Sequence, residues 1–198
     1  MAYKKSVDTR ARLVGSMAQL LRTKGYAATG ISDVISDSGV PKGSVYHHFP
    51  GGKQSLAAAS VAASGEGIAA ALGGLLDRAG HPIAAMAEFC NYYIGQLGES
   101  DFRRGCPLAT VALEKAAQVD LIQQACGKSF EAMVTLYADH LVKAGARPAA
   151  AQSASLLVVS AIEGALVLCK AQRSTAPLAM VRDQLTDYLN SLLGEPRP

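Results

Sequence analysis

Lys42, Ser44, Tyr46, His47 and His48 crowd into one stretch, SDSGVPKGSVYHHF, running from Ser36 to Phe49. An ammonium, a hydroxyl, a phenol and two imidazoles side by side supply many hydrogen-bond donors, the inventory that suits phosphate oxygens and base edges. Catalysis would ask for different company. The chain has no H-E-x-x-H, no Gly-rich phosphate loop and no G-x-S-x-G, and His81 and His140 stand far from any matching Ser or Cys in sequence. Cys90, Cys106, Cys126 and Cys169 are scattered without a C-x-x-C pair, which fits neither a zinc site nor a disulfide framework. A non-enzymatic protein without cofactor or metal, its thiols reduced inside the cell, is the expectation.

Those donors need elements to hold them on one surface. Before them, Leu13, Val14, Met17, Leu20 and Leu21 form an apolar stripe at helical spacing, with Asp8 or Thr9 placed to cap it and Gly25 to stop it. A second helix is expected from Thr29, as N-cap, to Gly39, with Ile31, Val34 and Ile35 turned inward. Pro41 suits the first turn of a third, which buries Val45 and Phe49 and leaves the polar residues outside. Two short helices about a glycine turn, the second polar outward, make a helix-turn-helix whose second helix reads a DNA groove.

Charge follows the same division. Residues 1–55 hold eight Lys and Arg against three acids, whereas residues 56–198 hold eleven against thirteen. The positive end is the one expected to meet a polyanion. In such a domain Thr29 would offer its hydroxyl and helix N-terminus to a phosphate, and Lys42, Gly43 and Ser44 would approach base edges. Each also has a plainer reading, since Tyr46 could pack on the domain's own core and the histidines could cap a neighbouring helix.

After the break FPGGK, an alanine-rich helix is expected over 53–79, with the domain boundary inside it near residue 55. Further helices are expected near 82–98, 106–117, 119–145, 148–172 and 177–193, four of them opened by a proline. No alternating strand run competes, so the fold class is all-α with about nine helices: residues 1–55 for DNA and residues 56–198 for an effector and dimerisation. The longest apolar run, Leu156 to Leu168, is interrupted by Ser160 and Glu163, and reads as a buried helix, too short and polar to span a bilayer. The N-terminus shows no secretory signal, and a cytoplasmic location with no membrane partner is expected.

The stretch GYAATGISDVISDSGVPKGSVYHHFPGGKQSL resembles the DNA-binding domain of the tetracycline-repressor (TetR) family. FPGGK and FRRGCPLATVALE, from Phe102 to Glu114, are similar to the lincomycin-resistance-repressor-like branch. Two positions depart from the family pattern: Ile35 stands where a small alanine is usual, and one extra residue separates Phe49 from Lys53. The resemblance implies that Tyr46, His47 and Lys53 contact the DNA backbone. It also implies a homodimer reading a palindromic operator in double-stranded DNA, with a small-molecule pocket in each C-terminal domain and repression as the usual outcome. The last two helices would pair with their mates through Leu156, Val159, Ile162, Leu166, Val181, Leu185 and Tyr188.

A pocket for a largely apolar, uncharged or weakly charged ligand is expected among Phe89, Tyr92, Tyr93, Phe102, Cys106, Leu108, Phe130, Met133 and Tyr137, where most remaining aromatics gather. Asn91, Tyr92, Gln96, Thr110, Glu114 and Glu163 are the polar handles available. Plain core packing would need the same residues. Cys106 has a second reading as a redox or electrophile sensor, because Arg103, Arg104 and a helix start would favour its thiolate.

Overall fold

A computed structural model describes residues 2–194, with side chains from Asp8 onward. Among the described residues there are nine α-helices, one π-helical turn and no strand. They are α1 (Ala2–Lys24), α2 (Ile31–Ser38), α3 (Lys42–His48), α4 (Gly52–Ala79), α5 (Pro82–Glu99), α6 (Pro107–Val111), α7 (Asp120–Lys143), α8 (Pro148–Gln172) and α9 (Ala176–Leu193). The π turn, Ala112–Ala116, continues α6. All-α architecture with about nine helices is therefore observed. α1 begins at Ala2, ahead of the Asp8 or Thr9 cap expected. At α5, α6 and α8 proline takes the first helical position, where its missing N–H leaves nothing unsatisfied.

Two compact units result, and chain order does not divide them. One comprises residues up to Glu66 together with Cys106–Ser129; the other comprises Gly67–Gly105 and the chain from Phe130. α4 and α7 each contribute a half to both. The first unit gathers 106–129 because Glu114 reaches back to the α1–α2 turn, where its carboxylate accepts the Ala27 N–H at 2.6 Å.

In the first unit, Leu13, Met17 and Leu21 of α1 are wholly buried with Val34, Val45, Leu56 and Val61. Each such side chain contributes roughly 1.5–3 kcal/mol through burial. Polar contacts hold α1 to α2: the Arg12 guanidinium donates to Ser38 O at 2.6 Å and Ser16 Oγ to Val34 O at 3.4 Å. Gly39 closes α2 at φ +64°, its N–H donating to Ile35 O. A side chain there would strain the backbone, so the sharp turn into α3 depends on glycine.

In the second unit α5 packs against α8 and α9, and α8 against α9. Tyr137 of α7 is wholly buried and its hydroxyl donates to Pro82 O at 2.9 Å. Ser155 of α8 likewise donates to Val134 O at 2.6 Å. By length and hydropathy alone α4 and α8 are long and apolar enough to cross a bilayer, at mean hydropathy 1.4 and 1.8. For α8 this corrects the reading of 156–168 as too short and polar, because the apolar character extends over the whole helix.

Candidate functional site

The α3 helix is short, and its register decides what it shows. Val45 and Phe49 point inward and are buried, so Lys42, Gly43, Tyr46 and His47 are left exposed, with Ser44 and His48 half-buried. Tyr46 is 49% exposed, which separates it from the packed tyrosines of the chain. The His47 and His48 rings meet edge to face at 5.0 Å. The exposed face therefore carries an ammonium, a phenol and an imidazole beside a bare stretch of backbone.

That bare stretch is Gly43. A Cβ built there would meet nothing within 4 Å, and its backbone is ordinary helix, so neither crowding nor conformation demands glycine. Glycine inside a helix costs about 0.5–1 kcal/mol relative to alanine. The cost makes sense if something outside the chain must come close. Gly43→Ala is expected to raise thermal stability slightly while weakening DNA binding, a split that melting curves and gel-shift titration on one preparation would reveal.

Two of the sequence-predicted contacts are placed differently. Thr29 is wholly buried and donates its hydroxyl to Gly25 O at 2.7 Å. It does not cap α2; Gly30 does, with the Asp33 carboxylate accepting the Gly30 N–H at 2.7 Å. A hydroxyl so committed cannot meet a phosphate. Lys53 stands in the first turn of α4, but its Nζ lies over the Tyr26 ring at 4.2 Å from the centroid. Lys115 approaches the same ring at 5.7 Å. Desolvation lowers the Lys53 pKa, partly opposed by Glu114. Reaching a phosphate would require Lys53 to leave that ring.

The second unit encloses a small cavity of about 30 Å³. Of the nine residues expected in a pocket, Phe89, Tyr93, Met133 and Tyr137 line it. The other five do not. Tyr92 is exposed, Phe102 sits in a turn at φ +56°, and Phe130 is half-buried elsewhere. Cys106 and Leu108 are buried in the other unit, where the Cys126 thiol approaches Leu108 O at 3.7 Å. The wall is completed by Ile68, Leu72, Met86, Val158, Val159, Ile162 and Glu163. Helical spacing on α4 and α8 marked several of these as apolar but could not say which faced inward.

The polar handles sort as sharply. Asn91 accepts from Arg182 at 2.7 Å, Thr110 donates to Cys106 O, and Glu114 holds the α1–α2 turn. Gln96 accepts from Arg104 at 3.3 Å. Glu163 alone among the six handles lines the cavity. The four cysteines form no disulfide and all are buried. Burial pushes the Cys90 thiol up to about 12 and raises those of Cys126 and Cys169. For Cys106, burial withholds the access that a sensing thiolate needs.

The dimer residues expected on α8 and α9 also divide. Leu156 and Tyr188 are exposed, Val159 and Val181 half-buried. Ile162, Leu166 and Leu185 are buried within their own chain, and Ile162 and Val159 face the cavity. The large apolar side chains left outside are Leu156, Leu157, Val167 and Leu168 of α8 and Met180 of α9. The open face of α8 is thus rotated from the stripe read in the sequence.

Residues 17–60 match the family described as bacterial regulatory proteins, tetR family, and residues 82–184 match the C-terminal domain described as transcriptional regulator LmrA/YxaF-like. An uncharacterized HTH-type transcriptional regulator of Mycobacterium tuberculosis is 35% identical over 191 residues, covering 94% of this chain and 96% of the relative. The HTH-type transcriptional regulator LmrA of Bacillus subtilis is 28% identical over 182 residues, covering 92% and 97%. Among solved structures, a TetR transcriptional regulator from Legionella pneumophila superposes with a TM-score of 0.79 at 21% identity, covering 89% of this chain and 95% of that one. One from Chloroflexus aurantiacus gives 0.75 at 25%, covering 94% and 96%.

Proposed function

This chain belongs to the TetR family of bacterial transcriptional regulators, with an LmrA/YxaF-like C-terminal domain, and from that premise we propose a homodimeric repressor that a small, largely apolar ligand releases from a palindromic operator. Its place of action is the cytoplasm, where the operator is. The observation that carries the reading is the exposed α3 face, where Lys42, Gly43, Tyr46 and His47 are free of packing duties.

Two such faces must enter successive major grooves, and their spacing is then fixed by DNA at about 34–36 Å or a multiple. The device that adjusts it is α4, unbroken from Gly52 to Ala79 and supplying Ile68 and Leu72 to the cavity wall. A cavity of about 30 Å³ holds little more than a water molecule, so a ligand must push its walls apart. Displacement of α4 by the ligand changes reader spacing at the other end of the same helix. Ligand and operator then weaken each other by the same factor, since coupling between two sites is reciprocal.

Selection of bound duplexes from a random pool tests the proposal. A two-fold symmetric sequence should emerge, with affinity falling steeply as salt rises because Lys and Arg displace counterions from phosphates. Enrichment of asymmetric sites, or of none at low salt, would overturn it.

A further inference from the structure

Four helices of the second unit, α4, α5, α7 and α8, wall the cavity, and its lining has a consistent electrical sign. Three aromatic rings face it, Phe89, Tyr93 and Tyr137, the first two edge to face with centroids 5.1 Å apart. Aromatic faces are negative and attract cations, most strongly where water is excluded. Burial raises the Tyr137 pKa, so its phenol stays neutral, and its proton is already given to Pro82 O. Only one lining residue is a carboxylic acid. It is Glu163, on α8, and its Oε2 is shut off from solvent. Ring faces and carboxylate favour a positive ligand together and disfavour a negative one together.

We infer that the effector is a small lipophilic cation, a flat ring system carrying one quaternary or protonated nitrogen. Its charge lies against Glu163 and its apolar body among Phe89, Tyr93 and Tyr137. Met86 and Met133, unbranched and adaptable, are the wall residues best able to give way as it enters. The inference rests on the reading of this cavity as the effector site and replaces the uncharged ligand expected from composition.

Calorimetric titration of the full-length protein with three probes of one shape tests it: 1-methylquinolinium, its neutral isostere 1-methylnaphthalene, and the anion 1-naphthoate. The cation should bind at least tenfold more tightly than the neutral compound, the anion least, and Glu163→Gln should cancel the preference for the cation. Phe89→Leu, which removes a ring face without touching the acid, should weaken the cation more than the neutral probe. Should Glu163→Gln fail to fold, the wild-type ranking and Phe89→Leu still decide. Equal or tighter binding of 1-methylnaphthalene would overturn the charge assignment while leaving the cavity as effector site. Silence from all three probes would overturn both.

Discussion

Lys42→Ala and Tyr46→Ala should each lower operator affinity by about tenfold to a hundredfold, and the double replacement by more, with the fold unharmed. The magnitude follows from the roughly 1–3 kcal/mol that a good contact to a base edge carries. Stability is spared because both side chains are exposed on α3, and surface truncations of that kind stay within about 0.5 kcal/mol. The two variants also differ in kind. If Lys42 meets a phosphate, its loss lowers affinity for every sequence alike and reduces the salt slope by about one unit. If it donates to guanine, the loss relaxes the preference at one operator position. Gel-shift titrations on the selected operator and single-base variants, at two salt concentrations, distinguish these outcomes. Unchanged affinity in both variants would remove α3 as the reader.

The sequence was most informative where one residue type had one physical job. Gly39 had to stand where the backbone turns left-handed, and it does. The prolines at 82, 107 and 148 had to open helices, and they do. It was least informative where several faces of a helix look alike. α8 carries large apolar residues at 156, 157, 158, 159, 162, 166, 167 and 168, nearly all around its axis. A periodic stripe can be drawn through such a helix in more than one way. The one drawn through Ile162 and Leu166 proved to face the chain's own interior, because the tertiary partners and not the helix choose the face. The pocket residues were blurred for a related reason. Aromatic content locates a core, but only packing decides which rings border empty space, hence Tyr93 inside and its neighbour Tyr92 outside. Thr29 failed more locally: a threonine before a helix is a good cap on paper, yet here its hydroxyl found Gly25 O first.

Leu157→Asp with Leu168→Asp should split the homodimer and reduce operator affinity by at least a hundredfold. On α8, Leu156, Leu157, Val167 and Leu168 are between 47% and 58% exposed, and Met180 of α9 is 69% exposed. So much large apolar surface along one helix marks an interaction face more often than a solvated one. Between the leucines lies Gly164, where an added Cβ would meet nothing within 4 Å, leaving room for a second helix to come close. Two aspartates per chain place four buried carboxylates against one another in a two-fold interface, a repulsive and poorly solvated arrangement. Each reader then binds alone and loses the gain of about 10²–10⁴ that linkage of two sites provides. Sedimentation should show the wild type as a dimer and the variant as a monomer that keeps its helical content. Leu166→Asp is the contrast. That side chain is buried in its own chain, so the replacement should unfold the protein before any change of assembly can be seen. A variant at 157 and 168 that remains dimeric would place the interface elsewhere.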